Sequence, residues 1–291
     1  MAIIDDIKVR FASADMLMRI IYINIGVFVV LRLIGIAAFI FGFDLGSWLE
    51  WIEMPSDLAM LAMRPWTVIT YSLAHYDALH ILFNMLWLYW LGQIFLDYFT
   101  PKQLSGLYII GALGGALLFA AAYNLIPNLA ARHSHLLGAS ASVLAIVVAI
   151  AVYAPHYKIN LLFIGELSLK WLVLATIFIY ILTVDASNAG GHIAHLGGVL
   201  VGALYGTMMR RGKDITAPLN GLIDRIVSLF ARKHPPGVGE PIVGGKFHES
   251  SAPSRPTEAD LDRVLDKIKR SGYSALTDEE RNLLFGFGKK K

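Results

Sequence analysis

Cysteine is absent from this chain of 291 residues. Without thiols the protein has no disulfide framework, no cysteine nucleophile, no thiolate metal site and no iron–sulfur cluster ligated by cysteine. Charged residues are also scarce, at 16%, whereas hydrophobic residues make up 56%, more than a soluble domain usually carries. The net charge of +3 gives no indication of a nucleic-acid partner, because basic residues beside hydrophobic spans usually set membrane topology.

The charges that are present avoid the middle of the chain. Between Ile20 and Met209 they are limited to Arg32, Asp44, Glu50, Glu53, Asp57, Arg64, Asp77, Asp97, Lys102, Arg132, Lys158, Glu166, Lys170 and Asp185. A membrane-spanning helix needs about 20 mostly apolar residues. Six stretches qualify, near Ile20–Phe43, Ala78–Tyr98, Leu104–Ile126, Leu137–Tyr153, Leu167–Val184 and His192–Met209. The sequence therefore predicts an all-α fold, a polytopic bundle of six transmembrane helices. Arg32 falls inside the first span, and we interpret it as a structurally paired residue.

Basic residues flanking the spans predict the orientation of this bundle. With the amino terminus in the cytoplasm, Arg64 and Arg132 lie outside, and the cytoplasmic side holds Lys8, Arg10, Arg19, Lys102, Lys158, Arg210, Arg211 and Lys213. The acidic amino end has no small-residue cleavage site, so we expect the first span to be retained. We expect a cytoplasmic segment at residues 1–19, a membrane domain at 20–210, and a cytoplasmic carboxyl terminus. The expected location is the bacterial inner (plasma) membrane, with the apolar connection from Asp44 to Asp77 in the membrane interface.

The polar tail predicts a small helical cytoplasmic extension. Apolar residues recur at helical spacing between Pro218 and Lys233, which indicates an amphipathic helix on the cytoplasmic surface or, alternatively, one packed on the tail module. With the Pro-, Gly- and Ser-rich linker that ends at Pro256, this helix forms a segment at residues 211–256. An apolar stripe and a capping-box pattern at Thr277 and Glu280 then predict a helical module at residues 257–291. This module is either a docking element or a solvated appendage.

Polar side chains within spans are costly in hydrocarbon and are therefore candidates for function. His80 and Asn84 are four residues apart, so on a helix they share one face and can direct two N–H donors toward one point. Such a pair can stabilise a developing oxyanion. His75 precedes this span, and we interpret it as structural.

A serine and a histidine lie on two further spans. Gly138 permits close backbone approach before Ser140, and Ser142 is a competitor for any role given to Ser140. The sixth span carries His192 and His195. Its glycines at every fourth position can pack closely against small residues of the fourth span: these are Gly198, Gly202 and Gly206, and Ala141, Ala145 and Ala149. Such packing can bring a hydroxyl close to an imidazole, which is the base that a serine nucleophile needs.

A metal site is the competing interpretation of nine histidines, which include an HxH pair at His133 and His135. The chain has no HExxH motif, and no carboxylate accompanies His80 or His195 within its span. Zinc also leaves Ser140 and Asn84 without a role. We therefore favour the serine hypothesis and predict no metal and no other cofactor.

Taken together, these motifs resemble the rhomboid family of intramembrane serine proteases. The resemblance covers the six-span body and depends on three motifs in the family's order: HxxxN from His80 to Asn84, GxS from Gly138 to Ser140, and AHxxG from Ala194 to Gly198. Each short motif is weak evidence alone, and the ordered set is strong.

The resemblance implies a catalytic dyad with Ser140 as nucleophile and His195 as general base. It also implies an oxyanion site formed by the Ser140 backbone N–H and the side chains of His80 and Asn84. The active site would lie in a water-filled cavity open to the non-cytoplasmic side. The partners implied are single-span or polytopic membrane proteins, cleaved within or near a transmembrane helix, and the lipid bilayer.

Two positions depart from the family pattern. Ala141 follows the serine where relatives commonly have glycine, and the first outer loop has the order Arg64, Pro65, Trp66 where many have an adjacent Trp–Arg pair. A catalytically silent rhomboid-like protein that binds transmembrane clients is an alternative, although silent relatives tend to lose the serine and histidine that are present here. A transporter is a third possibility, but no internal repeat between the two halves supports it.

Overall fold

The computed structural model describes residues 2–161, 165–182 and 188–230, together with the single residues Val264, Lys267 and Thr277. The chain divides into two units, Met1–Ala231 and Arg232–Lys291, and the architecture below is that of the first. The predicted linker up to Pro256 and the module at 257–291 lie outside the described residues, apart from those three positions.

Helices form most of the first unit. They are α1 (Ala2–Ser13), α2 (Met16–Phe41), α3 (Gly46–Leu49), α4 (Leu58–Met63), α5 (Thr67–Thr70), α6 (Ala78–Tyr98), α7 (Pro101–Leu125), α8 (Pro127–Ala130), α9 (Ser140–Tyr153), α10 (Leu169–Leu182), α11 (Ala189–Arg210) and α12 (Ala217–Phe230). A short 3-10 helix, Tyr71–Leu73, follows α5. The strands form two antiparallel pairs, β1 (Met54–Pro55) with β2 (His135–Leu136), and β3 (Lys158–Leu161) with β4 (Gly165–Ser168).

The long helices begin where the sequence supplies a capping side chain. The Asp15 carboxylate accepts a hydrogen bond from the Met18 N–H at the start of α2. Thr100 and Gln103 form a capping box at the start of α7, with Pro101 in its first turn. These side chains satisfy backbone N–H groups that have no partner within their helix. The helix ends are thereby defined locally by the sequence.

Among the described residues, four helices are long and apolar enough to cross a membrane: α2, α6, α7 and α11. Helix α6 has the predicted bounds, Ala78–Tyr98. Helices α9 and α10 are apolar but have only 14 residues each, fewer than the about 20 that a full span needs. The fourth predicted stretch starts later than expected, at Ser140, because Leu136 is paired in β2 and Gly138 has a left-handed backbone conformation.

Helix α9 lies at the centre of the bundle, where every residue from Ala141 to Ala151 is buried. Helix α11 packs against it backbone to backbone. A Cβ atom added to the glycines of α11 would overlap the carbonyl oxygens of the small residues on α9: Gly198 meets Ala141, Gly202 meets Ala145, and Gly206 meets Ala149. The predicted contact between the glycine stripe and the alanine face is therefore confirmed.

Replacing Gly202 by valine is expected to destabilise the bundle strongly. The added side chain would collide with the backbone of Ala145, which cannot move aside as a flexible side chain can. Overpacking typically costs about 1–3 kcal/mol even where side chains can adjust. Thermal unfolding in detergent measures the effect, and Gly26→Val is the control because Gly26 has open space around it. Equal unfolding temperatures for the two variants would contradict this packing.

The connection between α2 and α6 is tied to the start of α9. In the β1–β2 pair, Met54 lies opposite Leu136 and Pro55 opposite His135. The connection also exposes large apolar side chains, among them Trp48 and Trp51, as expected of a segment in the membrane interface. The pairing brings it alongside residues just before Ser140.

Arg32, inside the first long helix, has an aromatic partner. Its guanidinium lies over the ring of Tyr76, 5.2 Å from the ring centroid, a favourable cation–π contact. The structure therefore provides the structural pairing that we expected for this residue.

Candidate functional site

Ser140 and His195 meet where α9 and α11 cross. The Ser140 Oγ and the His195 Nε2 are 2.6 Å apart, a hydrogen bond between residues 55 positions apart in the chain. Both side chains are half-buried. In the tautomer that carries its proton on Nδ1, Nε2 accepts the hydroxyl proton, which is the arrangement that general-base activation of a serine requires.

The backbone before Ser140 is held by residues far away in sequence. Gly138 has φ of 116°, and its N–H donates to the Tyr71 carbonyl at 2.9 Å. A Cβ at this position would lie 2.7 Å from the His80 ring, so only glycine fits. The next N–H, of Ala139, donates to His75 Nε2 at 3.2 Å. The glycine of the GxS motif is therefore required for two reasons: its backbone has a positive φ, and the His80 ring leaves no room for a side chain.

His75 holds this turn as a neutral imidazole. The ring is fully buried, and burial, followed by the nearby His80 ring, lowers the pKa of His75 from 6.5 to about 4. An unprotonated Nε2 is what the hydrogen bond from Ala139 requires. His75 is thus a structural residue, as expected, that supports the backbone next to Ser140.

His80 and Asn84 lie on one face of α6, beside the dyad. Asp77 caps this helix by accepting from the His80 N–H at 2.7 Å. The Asn84 amide donates to the His80 carbonyl at 2.9 Å, which uses one of its two N–H groups. Both side chains line the same cavity as Ser140 and His195, so the structure brings all four predicted residues together.

Two cavities meet at the dyad. The first, of about 220 Å³, is mainly apolar and is bounded by α6, α9, α10 and α11: it is lined by His80, Phe83, Asn84, Trp87, Ser140, Val143, Leu144, Thr176, Tyr180 and His195. The second, of about 240 Å³, has a polar rim: it is lined by Tyr76, Asp77, His80, His135, Leu136, Leu137, Ser140, Asn188, Gly191 and His195. The Ser140 hydroxyl is therefore bordered by a mainly apolar cavity and by one with several polar side chains.

Ser142, the competing serine, lies elsewhere. It is fully buried and lines neither of these two cavities. A Cβ on Gly111 of α7 would lie 3.1 Å from the Ser142 Cα, so α7 packs against this residue. The geometry therefore favours Ser140 over Ser142 as the reactive hydroxyl.

Tyr180 is a site residue that the sequence did not single out. Its ring packs on the His195 ring at a centroid distance of 4.5 Å and an interplanar angle of 47°. Thr176 precedes it by four residues, and both side chains line the apolar cavity. The sequence contains a signal for this residue, because Thr176 and Tyr180 are two polar-tipped residues at helical spacing, on one face of the apolar stretch that follows Lys170 in α10.

Potential metal ligands do not converge in this part of the molecule. Over the described ranges, no group of three or more His, Asp or Glu side chains is arranged to hold a metal ion. His133 and His135 are both exposed. His135 contributes to the rim of the polar cavity.

Comparison with known proteins identifies the family. A model of the Rhomboid domain matches residues 62–212, which include Ser140, His195 and the four helices that bound the apolar cavity. The chain belongs to the rhomboid family, and with its long apolar helices it is an integral membrane protein.

Two curated plant proteins are similar to this chain. RHOMBOID-like protein 12, mitochondrial, of Arabidopsis thaliana is 30% identical over 158 residues, covering 50% of this chain and 47% of the relative. Rhomboid-like protein 16, chloroplastic, of the same plant is 35% identical over 78 residues, covering 27% of this chain and 24% of the relative. The aligned part thus spans about half or less of each relative's length.

Proposed function

We propose that this protein is an intramembrane serine endopeptidase that cleaves membrane proteins within or near their transmembrane helices. The observation that carries the proposal is the 2.6 Å hydrogen bond between Ser140 Oγ and His195 Nε2. In the first step His195 takes the hydroxyl proton as Oγ attacks the scissile carbonyl. His195 then gives that proton to the leaving amine, and water hydrolyses the resulting ester by the same sequence.

The oxyanion formed in each attack needs hydrogen-bond donors. The Ser140 N–H lies at the start of α9, where backbone N–H groups have no acceptor within the helix and the helix dipole favours negative charge. We assign the remaining donors to the His80 ring and to the second N–H of Asn84. Both side chains border the cavity that holds Ser140.

We further propose that α9 and α10 complete a six-helix transmembrane bundle with α2, α6, α7 and α11.

The charge distribution supports cytoplasmic termini for the membrane domain and its extension. A bacterial inner membrane is the proposed location. The printed names of the two relatives refer to mitochondria and chloroplasts, so an organelle membrane is the alternative. Locating the tagged protein in its source cells decides between them.

A fluorophosphonate probe tests the proposed activity directly, because it bonds covalently to activated serines. We expect wild-type protein in detergent to be labelled at Ser140, with the modified peptide identified by mass spectrometry. Turnover is measured with a helical single-span membrane protein that is added as substrate in the same detergent. Absence of both labelling and cleavage across several substrates would favour the silent, client-binding alternative.

Replacing Tyr180 by alanine is expected to slow cleavage, whereas phenylalanine should largely preserve it. Ring packing on His195 orients the imidazole, and an aromatic pair is worth about 0.5–1.5 kcal/mol. If this packing energy no longer stabilises the transition state, kcat falls about two- to tenfold. Separate measurement of kcat and KM on both variants tests the idea, and a change in KM alone would contradict it.

A further inference from the structure

Helix α12, which follows the last long helix, exposes an apolar face. Leu222, Ile226 and Leu229 are spaced at i, i+4 and i+7, so they share one side of the helix. Their side chains are 54%, 47% and 80% exposed. We call these three residues the α12 apolar face. Its exposure is unusual for a helix that is otherwise anchored to the bundle, because such a face is normally covered.

Contacts with α7 fix the rotation of α12 about its own axis. The Lys102 ammonium pairs with Asp224 at 2.7 Å, and the Gln103 amide donates to Asp214 at 3.0 Å. About one turn further along α7, a Cβ on Gly106 would lie 2.8 Å from the buried Thr216 side chain. Because Asp224 lies on the α7 side, the α12 apolar face is held in a defined direction.

The contact also sets the depth of α12 relative to the spanning helices. Helix α7 begins at Pro101 and α11 ends at Arg210, close in sequence to the residues that contact each other here. Gly106 lies five residues beyond Pro101, which corresponds to about 7–8 Å along the helix axis. The polar layer on each side of a bilayer is about 5–8 Å thick. Helix α12 and the residues just before it therefore contact α7 within a stretch about as long as this polar layer is thick.

Exposed cations lie on this helix and on the segment just before it. Arg210, Arg211, Lys213 and Arg225 are exposed, and within the described ranges none of them is in an ion pair with a carboxylate. In contrast, Asp214 and Asp224 are both engaged by side chains of α7. The local surface thus presents an apolar stripe flanked by net positive charge.

We propose that α12 lies in the plane of the membrane interface, where its apolar face contacts acyl chains and its flanking cations bind anionic phospholipid headgroups. Charge selects this occupant over two others. A second copy would bring the same cations together, and residues 232–291 carry more basic than acidic side chains, so neither brings a net negative charge to this surface. An anionic leaflet supplies both the apolar layer and the negative charge.

The absence of cysteine allows a direct test in the full-length protein. Ile226→Cys on the apolar face and Ser228→Cys on the polar side are each labelled with an environment-sensitive dye, in vesicles that contain spin-labelled phospholipid. We expect quenching at position 226 and little at position 228. Equal exposure of the two dyes to water would overturn the proposal. A shielded but unquenched dye at 226 would also overturn it, because the tail or a second copy would then cover the face.

A headgroup comparison tests the anionic preference. The dye at position 226 should be quenched more by spin-labelled phosphatidylglycerol than by spin-labelled phosphatidylcholine at the same mole fraction. Arg225→Gln should reduce this preference by up to about fivefold, the effect of one cation near an anionic surface. Arg132→Gln, which removes an exposed cation remote from α12 in sequence, should leave it unchanged. Equal quenching by both lipids would refute headgroup binding.

Discussion

Replacing Ser140 by alanine is expected to abolish cleavage of a helical transmembrane substrate. The variant loses the only atom that hydrogen-bonds to His195 Nε2 among the described residues, and removal of the nucleophile of a serine protease lowers kcat by about 10⁶. Purified wild-type and variant protein in the same detergent are compared by gel and mass spectrometry of the products. Because Ser140 begins a helix in a cavity, the smaller side chain should leave thermal unfolding nearly unchanged.

Ser142→Ala is the matched control. This substitution removes a hydroxyl of the same helix that is fully buried and borders neither cavity at the dyad. We expect it to retain activity and probe labelling. Loss of activity in Ser142→Ala together with an active Ser140→Ala would reverse the assignment of the nucleophile.

Replacing His195 by alanine is expected to be nearly as damaging. Among the described residues, His195 is the side chain that hydrogen-bonds to the Ser140 hydroxyl, and the serine hydroxyl is a poor nucleophile unless a base takes its proton. The variant should lose both substrate turnover and fluorophosphonate labelling, although Ser140 is still present. Its thermal unfolding in detergent reports whether the bundle remains intact.

His192→Ala is the control for the second prediction. His192 lies one turn earlier on α11, with its ring centroid 6.0 Å from that of His195, and Ser140 bonds to the later histidine. We expect this variant to keep most of its activity. If His192→Ala were inactive and His195→Ala active, the general base would have to be reassigned.

Much of the site could be predicted from the sequence, because small residues at regular spacing indicate where two helices pack closely. Glycines at every fourth position of α11 indicate a backbone-to-backbone contact, and this contact brings His195 to Ser140. The spacing of His80 and Asn84 likewise placed both on one helix face. In these cases the relevant information is periodic and local to a single segment.

The other features of the site, the start of α9 and the position of Tyr180, depend on contacts between segments that are distant in the sequence. The start of α9 at Ser140 reflects pairing of β1 with β2 and the hydrogen bond from Ala139 to His75, 64 residues away. Tyr180 approaches His195 only through the packing of α10. Apolar composition does not encode either arrangement, and it also overestimates the length of the fourth stretch, because the loop at residues 137–139 is as apolar as the helix that follows it.

The close packing of α9 on α11 has a mechanical consequence. A Cβ atom on Gly198, Gly202 or Gly206 would overlap the backbone of α9, so the two helix backbones are in direct contact along this interface. The two helices that carry Ser140 and His195 therefore form a rigid frame with almost no free volume between them. In the proposed reaction, deformation that admits a substrate polypeptide is expected in flanking segments such as α10, whose outer side chains are largely exposed. The reactive pair can thus keep its spacing while the walls around it move.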